Sequence, residues 1–97
     1  MAIRMLLFAS IHPDRESEFE EAFAVVRRRV ATVTGHIRDE LLRQRDAPGR
    51  YVLVSDWDSR EQCLSWLRSP AHDEMTAPVQ PFFARRSDIR FYDLKVA

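Results

Sequence analysis

YVLVSDWDSREQCLSWLRSPAH, from Tyr51 to His72, decides how the rest of the chain is read. Its opening residues, Tyr51 to Trp57, are rich in β-branched and aromatic side chains and make the clearest strand in the sequence. Asp58 and Ser59 follow, each able to cap a helix, with Glu61 and Gln62 at the capping-box distance from them. The helix they open should run from Arg60 to Arg68, with Cys63, Leu64, Trp66 and Leu67 as its buried stripe. Ser69 and Pro70 repeat the start signal, Ser as N-cap and Pro in the first turn. A second short helix is therefore expected from Pro70 to about Ala77, ended by Pro78. The stretch is a strand running into a broken helix.

Upstream, Asp46 to Arg50 (DAPGR) is a turn, and His36 to Arg45 is a strand whose alternation slips at Leu41-Leu42, as a bulge would make it do. This strand and Tyr51–Trp57 pair most simply as a hairpin. Between Arg15 and Thr34, Phe19, Phe23, Val26, Val30 and Val33 recur at helical spacing, and Gly35 stands where a helix-ending C′ glycine would. Ile3 to Ile11 (IRMLLFASI) is a first strand, closed by the turn His12-Pro13-Asp14. Downstream, an apolar linker, Val79 to Phe83, leads to a last alternating strand, Asp88 to Val96. The order βαββαβ predicts an α+β fold, the ferredoxin-like plait with an antiparallel sheet and helices on one face, as one domain over residues 1–97. No short-period repeat or low-complexity tract interrupts it.

One face of such a sheet is left uncovered. Met5-Leu6-Leu7-Phe8 and Tyr51-Val52-Leu53-Val54 are nevertheless apolar on both sides, where a half-solvated antiparallel sheet would alternate. The expectation is a homodimer through the open face, because a broad exposed apolar surface is rare on a soluble monomer. With 15 Lys plus Arg against 15 Asp plus Glu, no net field recruits nucleic acid or an anionic membrane. Arg27-Arg28-Arg29 reads as a solvated helix face. A lone cysteine excludes an internal disulfide and the start carries no charged leader, so a cytoplasmic setting is expected. The apolar run Met5–Ala9 is too short to cross a bilayer. Gly35 and Gly49 are the only glycines, which removes phosphate loops, and there is no zinc or calcium ligand pattern. No cofactor and no metal is expected.

A βαββαβ chain of this size, with a strand ending in Trp57, then Asp58-Ser59, then Trp66-Leu-Arg-Ser-Pro-Ala-His72, resembles the antibiotic biosynthesis monooxygenase superfamily of dimeric α/β-barrel proteins. The resemblance implies a shared barrel with a pocket in each subunit between sheet and helices. Members include cofactor-free oxygenases that turn polyketide anthrones into quinones, small quinol oxygenases and haem-degrading monooxygenases. Leu53 stands where the anthrone oxygenases carry an asparagine, and this chain has no asparagine at all. Thr76 stands where the haem-degrading branch carries its ligating histidine, one helical turn beyond His72.

The function this implies is cofactor-independent monooxygenation of an electron-rich aromatic or polyketide-like molecule, anthrone or quinol in type, with O2. Such chemistry needs an aromatic chamber that excludes water and one or two groups that handle protons. His72 and Trp66 are the candidate catalytic residues, and Trp57, Tyr51, Ser55, Phe82 and Phe83 the candidate substrate-binding set. Each has a plainer role open to it: the tryptophans as packing between helix and sheet, His72 as an exposed or capping residue. Cys63 reads as a small buried apolar residue, His12 as a loop residue, and His36 is retained only in case it points into the pocket. The alternatives are a non-catalytic small-ligand or haem-binding dimer, or a polyketide cyclase or isomerase.

Overall fold

The computed structural model describes residues 2–97 and is built on a four-stranded antiparallel sheet. Strands β1 (Ile3–Ser10), β2 (His36–Arg43), β3 (Arg50–Trp57) and β4 (Asp88–Asp93) lie in the order β2-β3-β1-β4. The two most apolar segments are the two central strands, registered with Leu6 against Val54 and Leu7 against Leu53. Helices α1 (Glu16–Val30), α2 (Arg60–Leu67) and α3 (Pro70–Thr76) complete the ferredoxin-like α+β plait. A 3₁₀ turn, Pro13–Arg15, leads into α1, and a 3₁₀ segment, Ala77–Phe82, follows α3.

Side-chain alternation divides the sheet into unlike faces. Met5 and Ala9 of β1 and Tyr51, Ser55 and Trp57 of β3 are buried under the helices, where Phe19, Val26 and Val30 of α1 and Cys63 of α2 meet them. The opposite face presents Leu6, Phe8, Val52 and Val54 from the central strands and Leu42 and Tyr92 from the edges. Phe8, Leu42 and Tyr92 are 39%, 52% and 45% exposed, so apolar surface continues across this face to both edges.

The capping signals work as read. Ser59 Oγ accepts from the Gln62 amide at 3.1 Å and donates to Gln62 Oε1 at 3.0 Å, which selects Ser59 over Asp58 as the N-cap. Ser69 Oγ accepts from the His72 amide at 3.3 Å. Beyond shifts of one or two residues at strand and helix ends, four features differ from expectation. Helix α1 stops at Val30 rather than Thr34, because the following Thr32 bonds its hydroxyl back to the Arg29 carbonyl at 2.8 Å and the Val/Thr run is a poor helix former. Gly35, with φ +89°, turns the chain into β2 instead of capping α1, and a Cβ there would lie 2.5 Å from the Gln62 side chain. The linker after α3 is helical, since Pro78 falls in a first turn where its missing N–H is no loss. Strand β4 ends at Asp93, short of Val96.

The bulge in β2 lies elsewhere than the Leu41-Leu42 slip suggested. His36 faces Trp57 and Arg38 faces Asp56, leaving Ile37 as the extra residue. Leu41 and Leu42 keep regular register, Leu41 toward the helices and Leu42 toward the open face. They are apolar together because both faces of the strand are. In a regular strand, residues three apart point to opposite faces. The bulge puts His36 and Asp39 on the same, helix-covered side, with side chains only 3% and 5% exposed.

Candidate active site

A cavity of about 410 Å³ lies between the covered face of the sheet and the helices. That is within the range of small-molecule pockets, about 300 to 1,000 Å³. Its floor is Leu7, Leu41 and Leu53 from neighbouring strands, with Met5, Ala9 and Ile89 beside them. Helix α1 supplies the facing wall through Phe19, Phe23, Val26 and Val30, the stripe that its helical spacing placed on one side. Gln80, Phe83 and Ser87 line it too, with exposed Arg85 and Arg86 where it meets solvent.

The polar groups come from the helix break and from the sheet. Ser69 Oγ donates to the Trp66 carbonyl at 2.7 Å while it caps α3, which fixes the angle between α2 and α3. Trp66 and His72 are thereby set edge to face, with ring centroids 4.7 Å apart. His72 Nδ1 lies 3.2 Å from Asp73 Oδ1, which leaves Nε2 for the cavity. Trp66 Nε1 is buried with no hydrogen-bond partner among the described residues. An orphaned donor of this kind costs about 1–3 kcal/mol until something accepts from it. Trp66 itself is part of the cavity lining.

At the sheet side, Asp39 and Ser55 line the cavity as cross-strand partners. His36 Nε2 is 2.8 Å from Asp39 Oδ1, and the His36 ring packs edge-on against Trp57 at 5.1 Å. Ser55 Oγ accepts from Trp57 Nε1 at 2.8 Å. Cys63 lies beneath, its thiol pushed up to about 12 by burial and then by the nearby Asp39 charge, and so inert as a nucleophile.

Of the residues singled out from the sequence, His72, Trp66, Ser55 and Phe83 share this cavity. Trp57 does not line it: wholly buried, it stacks at 5.6 Å on Trp66 and supports Ser55 from behind. Nor does Tyr51, whose ring meets Phe19 edge-on at 5.0 Å and whose hydroxyl donates to Glu20. Burial, followed by that bond to Glu20, raises the Tyr51 pKa and keeps it protonated. Phe82 packs beside the core under the Arg15 guanidinium, 5.0 Å from its ring centroid. Asp39 was missed, and His36 was only held in reserve, because nothing short of the bulge at Ile37 aims both inward. Thr76 also borders the cavity, but its hydroxyl donates to the His72 carbonyl at 2.7 Å, and a threonine is not among the usual axial ligands of haem iron. Among the described residues no cluster of three or more His, Cys, Asp or Glu could hold a metal, and no helix is long and apolar enough to cross a membrane.

Known proteins of similar sequence and fold place this cavity in context. SchA of Streptomyces halstedii is 30% identical over 93 residues, which are 96% of this chain and 24% of that protein. The chain thus spans about a quarter of the length of the curated relatives it matches. A Bordetella bronchiseptica protein assigned to antibiotic biosynthesis monooxygenases superposes with a TM-score of 0.91 at 25% identity, over 98% of each chain. SnoaB, a cofactor-independent oxygenase from Streptomyces nogalater, shares the fold with a TM-score of 0.81 at 21% identity, over 99% of this chain and 95% of its own. The family model for antibiotic biosynthesis monooxygenase matches residues 1–77, from the first strand through the Trp66–His72 corner, and the chain belongs to that family.

Proposed function

We propose that the protein is a cofactor-independent monooxygenase that oxidises an electron-rich aromatic or polyketide-like molecule of anthrone or quinol type in this cavity. One observation carries the reading. The buried Trp66 Nε1, without a partner, stands beside His72 in a chamber that is otherwise mostly apolar. The cofactor-independent activity of SnoaB, which has the same fold, supports it.

The chemistry follows from those two side chains. His72 Nε2 takes a proton from the bound substrate, and the electron pair of the broken bond stays on the substrate. Trp66 N–H donates to the oxygen on which the charge gathers, a contact worth most in a dry site. The anion then reduces O2 directly. For a methylene oxidised to a carbonyl, CH2 and O2 become C=O and H2O: the carbon gives four electrons and dioxygen takes four, so no external reductant enters.

The protein is further proposed to act as a cytoplasmic homodimer of single domains, residues 1–97, joined through the open face of the sheet. The exposed Phe8, Leu42 and Tyr92 on that face favour a partner of the same shape. A deeply buried, unpaired Cys63 suits a reducing compartment.

Oxygen uptake with a hydroxyanthrone such as dithranol tests the activity, against buffer, boiled protein and the His72→Ala variant. Uptake above the spontaneous rate, with quinone formed and the excess lost in the variant, is the expected result. A rate equal to that of boiled protein would overturn the oxygenase reading in favour of a non-catalytic ligand-binding module.

A further inference from the structure

The oxygenase reading uses one end of the cavity, and the sheet end holds a second pair of titratable groups that it does not use. Asp39 is a buried carboxylate on the cavity wall, met by no Lys or Arg among the described residues and bonded through Oδ1 to His36 Nε2 at 2.8 Å. A buried carboxylate needs partners for both oxygens. His36 serves one; the other, on a side chain that lines the cavity, has no hydrogen-bond partner among the described residues. Ser55, directly across the ladder, spends an oxygen lone pair on Trp57 Nε1 and keeps its own proton to donate. The other titratable groups are His72 on α3 across the cavity, Arg85 and Arg86 where it meets solvent, and beneath it Cys63 on α2, whose thiol stays protonated. The leucine floor at this end offers a ligand nothing else polar.

The backbone is bent to make this pair. Without the extra residue at Ile37, His36 and Asp39 would lie on opposite faces, and the carboxylate would have no imidazole behind it. Bulges recur beside active sites because they re-aim side chains in this way.

We infer that Asp39, held by His36, is a second proton-accepting and anchoring group of this cavity, and that its ligand carries a hydroxyl directed at β2 as well as an oxygen directed at Trp66. This rests on the small-aromatic reading of the same site and narrows it to a ring system with oxygen functions at both ends. In the bound state the hydroxyl donates to Asp39 Oδ2. In turnover the hydroxyl proton passes to that oxygen, the O–H electron pair stays on the substrate as an oxyanion, and the proton returns to the product. His36 acts as a positioning residue.

The test is binding of two unreactive probes, 2-hydroxyanthraquinone and the parent anthraquinone, read by quenching of tryptophan fluorescence at a pH where the free phenol is un-ionised. Wild-type protein should prefer the hydroxylated probe by about tenfold or more, the measure of a buried hydrogen bond to a charged group. Asp39→Asn should bring the two affinities to within about twofold, and Asp56→Asn, on the open face of the sheet, should leave the preference in place. His36→Gln keeps the carboxylate without the imidazole and should lose part of the preference. Equal affinities in wild type, no binding of either probe, or a full preference in Asp39→Asn would each overturn the inference. Should Asp39→Asn fail to fold, a full preference in His36→Gln would do so. The probes are not oxidised, so a failure of this preference and a failure of oxygenase activity are separate results.

Discussion

Each face of the sheet holds an aspartate, and the two are satisfied in opposite ways. On the open face, Asp56 has both oxygens taken: Arg4 Nε lies 2.9 Å from Oδ1 and Arg38 Nε lies 3.1 Å from Oδ2. Burial would raise its pKa, but the hydrogen bonds and charges of the two guanidiniums outweigh burial and hold it below the usual value. Under the helices, Asp39 has an imidazole on one oxygen and a cavity at the other. A carboxylate clamped by two arginines has no capacity left for a ligand and ties strands together. One with a free oxygen in a small apolar chamber can do chemistry. The same contrast holds for the apolar residues: on the covered face they enclose a cavity, whereas on the open face they form an exposed surface.

The contrast can be broken most forcefully at Trp57, which is wholly buried between His36 and Trp66 on the covered face. Trp57→Ala should lower unfolding stability by about 3–5 kcal/mol in urea titrations, through the cavity it leaves. A loss under ~1 kcal/mol would mean that the covered face repacks freely. Next in size is Trp66→Phe, which keeps the ring and removes the orphaned N–H. Turnover on the hydroxyanthrone should fall about 10²-fold to 10³-fold with the fold intact, the scale of one lost oxyanion donor.

On the open face the expected effect is on assembly. Phe8→Glu places a charge in the middle of the apolar surface and should shift the sedimentation mass from two chains to one while leaving probe binding in the cavity unchanged. A wild-type mass of one chain at micromolar concentration would remove the dimer altogether. The smallest effect belongs to Asp56 and pH. Its folded pKa lies below the unfolded value of 3.8, so its contribution is fully present above that value and is lost as pH falls through the lower, folded one. Denaturation midpoints taken from about pH 5 down to about pH 2 should therefore fall less steeply in Asp56→Asn than in wild type. Equal slopes would mean that the Arg4–Asp56–Arg38 bridge adds nothing, as many exposed ion pairs do.

Much of this is legible in the sequence. Ser59 and Ser69 announced the two helices of the broken segment, and because Pro70 forces the break, the neighbourhood of Trp66 and His72 followed from local chemistry. Less legible was which aromatics would face the cavity. Trp57 and Tyr51 stand on the correct side of β3, as alternation requires, yet Trp66 covers one and Phe19 the other. Strand periodicity assigns a face, not what lies above it. Phe82 was misplaced for a related reason: the segment around it is helical rather than extended, and the ring turns to Arg15.

By itself the sequence determined the order of elements, the two strands apolar on both sides and the capped corner that presents His72, because these depend on residues close together in the chain. Only the tertiary structure decided the sheet end of the cavity. The extra residue at Ile37 is set by how β2 registers on β3, and no short-range signal distinguishes it from the slip at Leu41-Leu42. A shift of one position in that register turns side chains to the opposite face. The pairing of His36 with Asp39 is therefore a product of the ladder between two strands.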